Sequence, residues 1–281
     1  MKLQDIEIIK KIKKVIVLAT IINTKGSSPR DDARMVVSDQ TTIGTIGGGE
    51  LEFRIIRESK KLLQKTEKIE KIISLPLGPS LGQCCGGYVE VKIKKFFSGE
   101  QLLEKHDLKN EILDCNDNLY IFGAGHVCKA LISKIDGVGF NIFVIDSRKS
   151  LISKLNEKFV TPILAIEPSI LIKNLPSNGF YLVMTHSHQI DLSICSDILK
   201  KNNFQFLGLI GSKTKRAKFE KKLQELGHAK TLISKIICPI GLVEIPGKEP
   251  DIIAISTIAQ LLKFKKTAIY KTKDNIRLIK G

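Results

Sequence analysis

The chain has 281 residues, enough for two domains that each bury a core of their own. Apolar residues make up 43% of it, yet no segment reaches the roughly 18 unbroken apolar residues of a membrane span, which argues against a membrane protein. A net charge of +16 raises nucleic-acid binding, but the lysines are spread along the whole chain and aromatics are only 6%, too few for a base-stacking platform; the charge reads instead as a field that favours an anionic ligand or an acidic partner.

The start, "MKLQDIEIIKKIKKVIVLATII", mixes acid and base at helical spacing and has no small-residue cleavage site, so it reads as a helix over Leu3–Lys13 and a buried strand over Val15–Ile22, in a cytoplasmic protein. "NTKGSSPRDDA" is a loop. Arg34–Ser38 and Thr42–Ile46 read as a hairpin turning at Asp39–Gln40. "GGG" at Gly47–Gly49 opens a helix over about 50–65, whose apolar face is Leu51, Ile55, Leu62 and their neighbours. Lys71–Leu75 is a strand, "LGPSLGQCCGGYVEV" holds a loop with two adjacent cysteines, and Tyr88–Ile93 is another strand. This first domain, over residues 1–100, is mixed α+β. A polar stretch with one short helical pattern, 101–117, reads as a linker.

From 118 to 281 strands alternate with helices: Leu119–Phe122, Asn141–Ile145, Pro162–Ile166, Phe180–Met184 and Phe206–Ile210, then "CPIGL" and an amphipathic helix over Pro250–Phe264. The rhythm predicts βαβ units and a Rossmann-like, doubly wound parallel sheet, so the fold class is α/β.

Several stretches carry chemistry. In "LYIFGAGHVCKAL", Gly123 and Gly125 follow a strand and open a helix, and Asp146 ends the next strand, near the roughly 20-residue offset of an acid that bonds a ribose hydroxyl. Backbone N–H groups there suit a pyrophosphate. Cys128 stands where Gly or Ala is usual, and is small enough to pack helix on strand. An NAD(P)-dependent oxidoreductase with His186 or His188 as acid/base is therefore one functional reading. His186, His188 and Asp191 in "VMTHSHQIDL" are three N/O ligands within six residues, which suit either a metal or a hydrogen-bonded strand end. "LIGSKTKRAKFEKKLQELG" places Gly211, Ser212 and Thr214 at a helix start, with Lys213, Lys215 and Arg216 adding charge: a phosphate site, or an N-cap and a solvated face. In the first domain, Gly26, Ser27, Ser28 and Arg30 form one donor-rich loop and Gly47, Gly48 and Gly49 another. Glu50 and Glu52 would repel an anion at the second unless they point away.

Cys84 and Cys85 sit among Gly82, Gly86 and Gly87. A disulfide between neighbours is badly strained, because its preferred Cα separation exceeds one peptide step. The six cysteines include no CxxC pair, so a structural zinc site lacks partners. Two readings stay open: a low-pKa thiolate that acts as nucleophile or soft-metal ligand, and two buried thiols acting as small hydrophobes.

In the same order along the chain, "VLATIINTKGSSPRDDARMVV", "GTIGGGELE", "LGPSLGQCCGGYVEV", "IFGAGHVCKAL", "VIDSR", "VMTHSHQIDL", "GLIGSKTKRAKFEKKLQELG" and "CPIGL" resemble the XdhC/CoxI family, accessory proteins of xanthine dehydrogenase and related molybdenum hydroxylases. The resemblance implies an N-terminal XdhC/CoxI domain and a C-terminal Rossmann domain. It also implies a chaperone, not an enzyme, that binds molybdenum cofactor (molybdopterin), supports its sulfuration with a cysteine desulfurase, and inserts it into apo-xanthine dehydrogenase or a related hydroxylase, as a homo-oligomer. On this resemblance Cys85 is the general family position and the candidate molybdenum ligand, and Cys84 is particular to the xanthine dehydrogenase branch. The glycine- and serine-rich loops, Gly86 and Gly87 included, would shape the cofactor sites.

Overall fold

A computed structural model of the chain describes residues 3–26, 32–65, 69–77, 87–108 and 117–278; the side chains of residues 3, 4 and 266–278 are not described. The chain divides into two compact units, Met1–Cys115 and Asn116–Gly281. No helix among the described residues is long and apolar enough to cross a membrane.

In the first unit, strands β1 (Ile16–Lys25), β2 (Arg34–Val37), β3 (Thr42–Gly44), β4 (Glu70–Leu77) and β5 (Gly87–Phe96) form an antiparallel sheet in the order β3-β2-β1-β5-β4. Alternation splits each strand between two faces. Val17, Ala19, Met35, Val89, Val91 and Ile93 meet Leu51, Ile55 and Leu62 of helix α2 (Gly49–Gln64). Ile16, Leu18, Val36 and Phe96 face the other way and pack with Ile9 of α1 (Leu3–Lys10) and Leu102 of α3 (Gly99–Lys105). Helix α3 lies largely within the stretch read as a linker. Ser98 caps it by accepting a hydrogen bond from the Gln101 N–H, and Leu102 is fully buried. Strand β4 runs through Pro76, tolerated because β4 is an edge strand with one neighbour.

The second unit holds six parallel strands, β6 (Asp117–Phe122), β7 (Phe140–Asp146), β8 (Val160–Leu164), β9 (Gly179–Val183), β10 (Phe204–Leu209) and β11 (Ile236–Ile237), in the order β8-β7-β6-β9-β10-β11. This is the doubly wound, Rossmann-like sheet expected of the C-terminal half. On one face Leu119, Ile121, Ile142 and Val144 pack with Cys128, Leu131 and Ile132 of α4 (His126–Ile135) and Ala254, Ile258 and Leu261 of α10 (Pro250–Leu278). On the other, Tyr120, Phe122, Tyr181 and Val183 pack with Ile194 and Ile198 of α7 (His188–Lys201) and Phe219 and Leu223 of α8 (Lys213–Glu225). Both faces of β6 are therefore dry, the normal state of a central parallel strand. The remaining helices, α5 (Lys149–Ile152), α6 (Pro168–Leu171) and α9 (Lys230–Ile233), are single turns. Strand β8 sits two residues earlier than its expected place, and α10 continues past Phe264 to Leu278.

Candidate functional site

Each unit brings the strand ends that flank its motif loops toward one edge of its sheet. In the first unit, Lys25 at the end of β1 pairs with Tyr88 at the start of β5, and Leu77 at the end of β4 pairs with Gly87. Gly44 at the end of β3 pairs with Met35 near the start of β2. The strand ends that flank the "GSSPR" loop, the triglycine turn and the cysteine loop therefore lie on one edge. Gly26 has a φ of 69° and Gly87 is buried at the head of β5. Ser27, Ser28, Arg30, Cys84, Cys85 and Gly86 lie outside the described residues.

In the triglycine turn the N–H groups of Gly47 and Gly48 are bonded within the chain. Gly47, Gly48 and Gly49 have φ of 123°, 74° and 61°, conformations that a side chain would strain. Glu52 folds back beneath them. Its Oε2 accepts hydrogen bonds from the N–H groups of Ile46 (3.1 Å) and Gly48 (3.1 Å) and from the Thr45 hydroxyl, whose Oγ1 in turn accepts from Gly47 N–H at 3.2 Å. The anion in this cradle is the chain's own carboxylate, so Gly47–Gly49 set the shape of the edge while four of its nearby donors are already spent.

In the second unit the strand order reverses between β6 and β9, and the residues after these strands meet there. A Cβ on Gly123 would lie 2.3 Å from the Met184 carbonyl oxygen, so only glycine lets the two loops approach. Between them opens a narrow cleft lined by Gly123, Asp146, Ser147, Pro168, Thr185 and His186 among others. Gly125 begins α4 with no side-chain cap, and a Cβ there would meet nothing within 4 Å. Cys128 packs α4 onto the sheet as its size predicts, and burial pushes its thiol up to about 12.

Asp146 does not present a free carboxylate. Oδ1 accepts from Arg148 N (2.8 Å) and Nε (2.9 Å), and Oδ2 from Ala124 N (2.7 Å) and Arg148 Nη2 (2.7 Å). Burial works against its charge, but the Arg148 guanidinium and these backbone N–H groups outweigh it together and bring the carboxyl down to about 2. Arg148 went unassigned in the sequence; an arginine two residues beyond the strand-end acid was the available signal.

His186 and His188 are both exposed, His186 in the cleft wall and His188 at the start of α7 with its ring edge-on to Phe219 (6.5 Å). Asp191 does not join them as a ligand set. It is fully buried, its Oδ1 accepting from Thr185 N (3.0 Å) and Oγ1 (2.7 Å) and its Oδ2 from Lys215 Nζ (2.6 Å). Among the described residues no group of three or more His, Cys, Asp or Glu is placed to hold a metal. The phosphate reading of the next stretch also changes. Gly211 precedes Ser212, which caps α8 by accepting from Lys215 N at 3.2 Å; Lys215 turns inward to Asp191, and Arg216 turns to Glu220 and the Ile233 and Ile236 carbonyls. Two of the three expected phosphate cations thus hold the fold.

Residues 119–261 match the family described as the XdhC Rossmann domain, and residues 13–72 match the XdhC and CoxI family. The chain belongs to the XdhC/CoxI family. The cysteine stretch falls between these two ranges, outside both. YqeB of Escherichia coli (strain K12) is 30% identical over 258 residues, covering 89% of this chain and 44% of that protein, so the chain spans less than half of this curated relative. A solved structure described as a xanthine dehydrogenase from Bacillus halodurans superposes with a TM-score of 0.71 at 22% identity, covering 95% of this chain and 96% of that one. That likeness bears on the fold, and the family's two-part architecture is the one seen here.

Proposed function

We propose that this protein is an accessory protein of molybdenum hydroxylase maturation. It binds molybdenum cofactor as cargo, shields it while its terminal sulfur is installed with a cysteine desulfurase, and hands it to apo-xanthine dehydrogenase or a related hydroxylase. It acts as a chaperone in the cytoplasm, as a homo-oligomer, and turns over no substrate. Membership of the XdhC/CoxI family supports the class. The observation that carries the reading is the common sheet edge in the first unit, from which the strands flanking all three motif loops depart. Molybdopterin brings a phosphate and a thiophilic metal held by a dithiolene. A soft thiolate suits the metal, and Cys85 is assigned to it. Cys84 is assigned to sulfur handling. Gly26, Ser27, Ser28, Arg30, Gly86 and Gly87 line the cargo site, and Gly47–Gly49 shape it.

The test is molybdenum and pterin analysis of the full chain purified from a cofactor-producing host. Cys85→Ala is expected to purify with the wild-type circular dichroism spectrum but without bound cofactor. Equal occupancy in the variant and the wild type would remove the ligand role.

A further inference from the structure

The crevice of the second unit points to a ligand of its own, independent of the cargo site. We propose that it binds a nucleotide whose ribose carries a phosphate, and that Arg148 reads that phosphate. In dinucleotide-binding sheets the acid at the end of the second strand bonds the ribose diol, while an arginine nearby accommodates a ribose 2′-phosphate. Asp146 occupies that acid's place but is saturated. An ionised carboxylate offers about four lone-pair positions; Asp146 receives four donors, two on each oxygen, and is 3% exposed. A ribose hydroxyl finds no acceptor there.

The rim presents cations instead. Arg148 has spent Nε and Nη2 on Asp146, its side chain is 36% exposed, and Nη1 has no hydrogen-bond partner among the described residues. Lys149 follows it and is exposed. The pinned acid cancels one charge and the second cation remains to meet a phosphate. The other parts of a nucleotide have places as well. The uncapped start of α4 has open space at Gly125 for a pyrophosphate to approach the backbone. Strand β8 pairs Leu164 with Asp146, and beyond its end Ile166 and Ile170, on either side of the cleft-lining Pro168, are 84% and 59% exposed. This is an apolar strip of the kind a flat base covers.

The test is calorimetric titration of the full chain with NADP, NAD and inorganic pyrophosphate, with no redox turnover required. NADP is expected to bind at least tenfold more tightly than NAD. Arg148→Ala is expected to abolish that preference or invert it, because it frees lone pairs of Asp146 for a diol. Lys149→Ala, at an exposed position, is expected to reduce the preference severalfold and decides the matter if Arg148→Ala fails to fold. Equal affinity for NADP and NAD, no binding of either at millimolar concentration, or pyrophosphate binding as tightly as NADP would each overturn the proposal.

Discussion

Replacing Lys215 by Met tests whether the ion pair beneath the crevice holds this part of the fold. Asp191 is 0% exposed and Lys215 9%, so the 2.6 Å pair between them is shielded from water. Lys215 also donates to the Ile210 carbonyl at 2.8 Å and lies 5.3 Å from the centre of the Phe219 ring. Methionine preserves most of the apolar stem and removes the charge. It strands a buried carboxylate whose remaining donors are the Thr185 N–H and hydroxyl. Breaking one partner of such a pair costs about 3–5 kcal/mol. At about 2–4 °C per kcal/mol for a unit of this size, the melting midpoint should fall by roughly 6–20 °C. Asp191→Asn in the Lys215→Met background keeps an acceptor for Thr185 and removes the orphan charge, so more than half of the loss should return. Differential scanning calorimetry of the three proteins measures both effects. A loss under about 1 kcal/mol, the size of a surface pair, or no recovery in the double variant would refute the reasoning.

Acid titration and thiol labelling test two further features of the second unit. Asp146 is held at about 2, below the ordinary 3.8, so its contribution is present above pH 4 and is lost as the pH falls from 4 towards 2; the difference corresponds to about 2 kcal/mol. Arg148→Ala should flatten that part of the stability profile, as read from urea midpoints at successive pH values. Cys128 and Cys195 are fully buried, and burial raises both thiols, so iodoacetamide at pH 8 should leave them unmodified in the native protein and label both in urea. Peptide mass spectrometry distinguishes the outcomes, and native labelling of either thiol would contradict the packing.

The sequence made the second unit legible because its signals are local. A strand, Gly-x-Gly, a helix and an acid in the expected place specify a βαβ unit, and alternation on both faces of β6 specifies a central strand. Strand β11, two residues long, is too short to carry a period. Helix α3 showed in the sequence only as one short helical pattern in a polar stretch; Leu102 is its one fully buried leucine. The candidate sites were less legible because donor counts say nothing about long-range partners. Lys215 and Arg216 looked like surface cations on a basic helix. Their true partners are Asp191, 24 residues away, and carbonyls 17 and 20 residues away. Glu52 was recognised as a conflict with the triglycine turn, but only its folded position shows that the conflict is resolved by hydrogen bonding.

These cases share one physical pattern. At three places where the sequence offers N–H donors or cations to an anion, the chain supplies the anion: Glu52 under the triglycine turn, Asp146 under the Gly123 loop, and Asp191 against Lys215. A carboxylate installed in a cradle does two things. It satisfies backbone groups that would otherwise be costly to leave unpaired, and it repels any second anion that relies on the same donors. A ligand phosphate must then be recognised by what lies one position further out. In the second unit the ribose phosphate therefore falls to Arg148 and Lys149 rather than to the Gly123 loop, which is why substitutions at those two residues, and not at Gly123, separate its recognition from the integrity of the fold.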